Sequence, residues 1–187
     1  MAQNILVQLQ EALGYPALLK IDPNTDVVKE NNENTSEDAF SQAAIPAILT
    51  GMYKYVQSEA GATDFLTTQN RPNWMEVLFA THKKEAIQTI AAYAKQSNED
   101  PLAKMNTIAN KASELILLQI GDATVDNLRQ YFKSQKAEIL LYLPTALGIG
   151  ELLNDAMLDD TINRMEGPIT NLMQSIGNVF NTPIKPS

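Results

Sequence analysis

Apolar residues recur along most of this chain at the three-and-four spacing of an amphipathic helix, and no stretch alternates long enough for a strand. Ile5, Leu9 and Leu13 share one helical face, and Gly14 follows where a C-terminal cap glycine belongs. Asp100-Pro101 pairs an N-cap residue with a proline at the first helical position, and Leu102, Met105, Ala109, Ala112 and Ile116 then hold the spacing until Gly121. Thr124 is expected to cap a short helix carrying Val125, Leu128 and Phe132, and Thr81 another carrying Ile87, Ile90 and Ala94. Ile162, Met165, Ile169, Leu172, Ile176 and Val179 stay in phase straight through Gly167-Pro168, which predicts one kinked helix, able to pack on its own domain or on a second chain. The tail 181–187 has two prolines and little to bury, and is expected to be mobile. The pattern predicts an all-α fold.

Two apolar-proline elements punctuate it, 98 residues apart: Ile45-Pro46-Ala47-Ile48-Leu49-Thr50-Gly51 and Leu143-Pro144-Thr145-Ala146-Leu147-Gly148. A proline inside a helix loses a hydrogen bond and clashes with the preceding turn, at about 3 kcal/mol, and its predecessor is pushed from the α region. Corners are therefore predicted at Pro46 and Pro144, each a short helix, a break and a longer apolar helix. Gly51, Gly148 and Gly150 would let neighbouring helices come close. A helix-glycine ending precedes each element, at Leu13-Gly14 and Ile120-Gly121, with 32 residues from glycine to proline in the first half and 23 in the second. The Asp/Asn/Glu-rich segment 22–38 accounts for the excess. The chain reads as one domain, 1–180, of two related halves (about 1–98 and 99–180), with an acidic loop at 22–38.

These residues carry a family resemblance. Ile45 to Met52, followed by Ser58-Glu59-Ala60-Gly61-Ala62 and Phe65-Leu66, resembles the YidB-like family of bacterial proteins of unknown function. So does Ile120-Gly121-Asp122 followed by Val125, Leu128, Leu140, Leu143-Pro144 and Leu147. The family usually places a glycine between the short helix and the next, where this chain has Phe132-Lys133-Ser134. The resemblance covers roughly half the chain. It implies an array of about six core helices with internal duplication, and no enzyme activity.

Composition narrows the partners. The 187 residues are 44% hydrophobic, too many for overall disorder. A net charge of −8 and a pI near 4.6 repel nucleic-acid phosphate and anionic lipid. Without cysteine there are no disulfides, thiol nucleophiles or cysteine-ligated metals, which suits a reducing cytosol. The N-terminus lacks the basic-then-apolar order of a signal peptide, and the uncharged run 139–150 falls short of the roughly 20 apolar residues a membrane span needs. A cytoplasmic protein with no membrane insertion is expected.

Each candidate site has an ordinary alternative. Asp22, Asn24, Asp26 and Glu33 follow the order of a calcium loop, but Val27 stands where the sharp turn needs glycine and Lys29 where an apolar residue belongs, so the segment reads as a solvated acidic loop. His82, the single histidine, is followed by Lys83-Lys84 rather than by ligands. Glu151, Asp155 and Asp159 repeat at four-residue spacing, either stacked for a cation or as a solvated face that costs a few tenths of a kcal/mol. Trp74 reads as core, with a partner anchor as its alternative. No phosphate loop, nucleophile elbow or dinucleotide fingerprint occurs. No catalytic, cofactor-binding or metal residue is assigned. The expected function is non-enzymatic, through contacts with a protein partner or further copies of itself. A small apolar ligand or lipid carrier, with the seven methionines lining its cavity, is the alternative, and a metal-dependent hydrolase the second.

Overall fold

The computed structural model describes residues 4–21, 36–68, 70–95 and 100–155. The calcium-loop-like segment Asp22 to Glu33, Asp159, the C-terminal apolar stripe and the tail lie outside the described residues. Among the described residues eight α-helices follow in order: α1 (Ile5–Leu13), α2 (Ser36–Tyr55), α3 (Glu59–Thr67), α4 (Trp74–Phe79), α5 (Lys83–Tyr93), α6 (Pro101–Gln119), α7 (Val125–Leu141) and the short α8 (Ile149–Leu152). Two 3₁₀ turns, Ala80–His82 and Thr145–Leu147, precede α5 and α8. No strand occurs among the described residues, and the fold is all-α as expected. α2 begins at Ser36, within the segment read as the acidic loop 22–38, and residues 22–35 of that segment lie outside the described residues.

Local chemistry sets most boundaries where expected. Asp100 accepts from the Ala103 amide at 3.2 Å, and Thr124 from Asn127 at 3.2 Å. Gly14 and Gly121, at φ 69° and 67°, close α1 and α6 in the left-handed region. Thr81 does not cap α5. The chain already turns at Ala80 (φ 43°, ψ −114°), which puts Thr81 inside the 3₁₀ turn. Nor does a short helix follow Thr124. α7 runs unbroken through Phe132-Lys133-Ser134, because no glycine or proline interrupts it and its buried face (Leu128, Phe132, Gln135, Ile139) keeps its phase.

The two proline elements differ. Pro144 makes the expected break: α7 ends at Leu141, Pro144 is extended (ψ 126°), and Gly148 turns the chain at φ 54°. The helix that follows, α8, has only four residues instead of a long apolar run. At Pro46 the helix does not end, and α2 continues through it to Tyr55. Packing explains the difference. α2 is the central helix, in contact with α1, α4, α5, α6 and α7, and every residue from Phe40 to Met52 is buried. Full burial of one Ile or Leu is worth about 1.5–3 kcal/mol. Ile45, Ile48 and Leu49 together exceed the roughly 3 kcal/mol an interior proline costs. Thr50 donates its hydroxyl to the Pro46 carbonyl at 2.7 Å, within the same buried turn.

A single apolar cluster draws residues from Ile5 to Leu153. α1 lies on α6, α3 on α7, α4 on both α2 and α6, and α8 on α5. Among the described residues no helix is long and apolar enough to cross a membrane. Gly51 faces α4, but a Cβ there would stand 3.4 Å from Leu78 Cβ, an ordinary van der Waals contact.

Two polar fixtures tie distant segments together. Gln42, buried on α2, accepts from the Leu19 amide (2.7 Å) and donates to the carbonyls of Leu19 (3.0 Å) and Tyr142 (2.9 Å). It thereby holds the extended segment after α1 against the C-terminal end of α7, where the Ile21 amide also bonds the Leu141 carbonyl at 2.9 Å. Gln42→Ala is expected to lower stability by about 1–3 kcal/mol, since it leaves backbone groups of both segments unpaired. A urea midpoint shift with unchanged slope would show this, and an unshifted midpoint would exclude it. The second fixture is Arg129 of α7. It donates to the carbonyls of Val56 (3.0 Å) and Gln57 (2.9 Å) and pairs with Glu59 at 3.2 Å, so α7 clamps the corner between α2 and α3.

Candidate functional site

Among the described residues an open groove of about 380 Å³ runs along α6. Asn110, Ser113, Glu114, Leu117 and Leu118 of α6 line it, with Asn70 from the α3–α4 connection opposite. Asn70 takes a left-handed backbone (φ 51°), which asparagine tolerates better than most residues. Leu118, 73% exposed, stands at the rim.

A polar network lies at one wall of this groove. Asp64 of α3 accepts from the Tyr55 hydroxyl at 2.6 Å and from Thr68 at 3.2 Å, and it pairs with the Arg71 guanidinium. Arg71 is folded inward, its side chain only 10% exposed, with the guanidinium 4.9 Å from the centre of the Trp74 ring. Asn110 closes the circuit: it donates to the Arg71 carbonyl (2.9 Å) and accepts from Trp74 Nε1 (3.0 Å). Asn106, one turn earlier, accepts from the Met75 amide at 3.2 Å. The two asparagines of α6 thus fix the start of α4.

No protein-family model, curated protein or solved structure matches this chain.

Electrostatics in the network follow from its geometry. Burial alone would push the Asp64 carboxyl up, but the Tyr55 hydroxyl, the Arg71 charge and the Thr68 hydroxyl outweigh it and hold the group below the usual carboxylate range. The Tyr55 phenol is pushed up to about 12 by burial and by the hydrogen bond and charge of Asp64. A depressed carboxyl stabilises the fold above its unfolded pKa, near 3.9, and this contribution is lost as pH falls through the folded value. A raised phenol contributes fully below its unfolded pKa near 10, and loses this as pH rises through about 12. Asp64→Asn is therefore expected to lower the melting temperature at pH 7, with the gap to the unsubstituted protein narrowing below about pH 4. Melting curves across pH 2–8 measure this, and a gap independent of pH would rule out the carboxylate as its source.

The residues singled out by sequence lie elsewhere. His82 ends the 3₁₀ turn with Nδ1 3.2 Å from Glu85 Oε2. Glu151 sits exposed on α8, but that helix stops at Leu152 and Asn154 turns the chain at φ 52°, so Asp155 does not stack on it as a helical neighbour. Asp155 instead meets Lys54 at 2.6 Å. No group of three potential metal ligands occurs among the described residues. Trp74 is fully buried in the core, as read. Asp64, Arg71 and Asn110 were not singled out. The available signal was slight: Arg71 is one of three arginines, in Asn70-Arg71-Pro72-Asn73-Trp74.

The amide of Asn110 is committed inward, so what faces solvent is the Leu117–Leu118 rim with Asn70 and Glu114. The next concavity, beside Thr50, Tyr53 and Lys136, is about 10 Å³, room for one water. Neither encloses a small apolar ligand.

Proposed function

We propose that this protein works through contact with another polypeptide, using the α6 groove as its contact surface. The observation that carries the reading is the combination of concavity and rim. A lone exposed leucine is ordinary, but Leu118 stands beside Leu117 on a groove whose Asn110 is held by the Arg71 carbonyl, next to the partly buried Arg71–Asp64 pair. Such a surface seats an apolar side chain between polar neighbours, the usual anatomy of a contact site. The net charge of −8 favours protein over nucleic acid as partner.

In this reading the protein is non-enzymatic and cytoplasmic; Asp64, Tyr55 and Asn110 behind the groove are engaged with their neighbours, and a cysteine-free chain suits a reducing compartment. Kinship with the YidB-like proteins belongs to the same proposal. It rests on Ile45–Met52, Gly61 and Ile120-Gly121-Asp122, and two of its glycines have a physical reason: Gly61 sits against backbone and Gly121 in a left-handed cap.

Leu118→Glu tests the proposal, because a charge on this exposed position is expected to leave stability within about 0.5 kcal/mol. Proteins captured from native extract by the unsubstituted chain should be lost with the variant. Light scattering of the two chains over a concentration series shows whether a second copy is among them. If both chains retain the same partners and the same mass, the groove is not the contact surface.

A further inference from the structure

We draw no further inference here: the strongest candidate, the open groove along α6 between Asn70 and Leu118, belongs to the surface already described, and nothing in the structure shows what covers it.

Discussion

Trp74→Ala is expected to cost about 3–5 kcal/mol, the range for truncating a large buried aromatic. Three losses combine at this position. The indole is fully buried and packs on Phe65 at 5.6 Å between ring centres. Its Nε1–H satisfies Asn110, which in turn holds the Arg71 carbonyl. Its face covers the Arg71 guanidinium, whose Nε is already buried without a partner. Truncation leaves a cavity beside a buried cation that has lost its aromatic cover. Trp74→Phe keeps most of the volume and removes the N–H donor, so it should lose only about 1–2 kcal/mol. Urea unfolding followed by circular dichroism separates the two. Equal losses would mean that cavity volume has little part in the effect. Losses within 1 kcal/mol of the unsubstituted protein for both would overturn the assignment of Trp74 as a keystone.

Gly61→Ala is expected to be nearly as damaging, at about 3 kcal/mol, through crowding rather than loss. A Cβ at Gly61 would lie 2.2 Å from the Tyr55 carbonyl oxygen and 2.7 Å from Ser58 Oγ. The first is backbone at the end of α2 and cannot rotate away. The second is the N-cap oxygen of α3, which accepts from the Gly61 amide at 3.0 Å. Relief requires the corner to open, against the Arg129 clamp on Val56 and Gln57. Gly51→Ala is the informative contrast. There the nearest atom is a side-chain carbon at 3.4 Å, ordinary contact, and a gain of up to about 1 kcal/mol is expected, because alanine is the better helix former in a helix interior. Thermal melts of the two variants decide the matter, and a Gly61→Ala melting point equal to that of Gly51→Ala would contradict the close approach.

That contrast shows where sequence reading reaches its limit. Both glycines fall in the stretch that carries the family resemblance, yet only Gly51 stood out as a packing position, because it lies in an apolar run. The constraint on Gly61 comes from a corner formed with the preceding helix, and nothing in Ser58-Glu59-Ala60-Gly61 announces it. Caps were legible because they are local: Asp100, Thr124, Gly14 and Gly121 act within one turn of their helices. Pro46 was misread for the opposite reason. Its local cost is real, but α2 is covered on all sides by helices from the rest of the chain, and that burial outweighs a local preference. The groove and its network were not legible, since Tyr55, Asp64, Arg71 and Asn110 come from α2, α3, a connection and α6. Fold class survived these misreadings because every one of them moved a helix boundary and none changed a helix into anything else.

The all-round burial of α2 also bears on how the chain is made. Synthesis delivers Phe40 to Met52 early, while the last of the helices that cover them, α7, is complete only at Leu141, roughly 90 residues later. At ~5–20 residues per second, this central helix waits about 5–20 seconds for its cover. During that interval a nascent chain presents an uncovered hydrophobic surface, and its safest occupant is whatever holds new chains apart until α6 and α7 arrive.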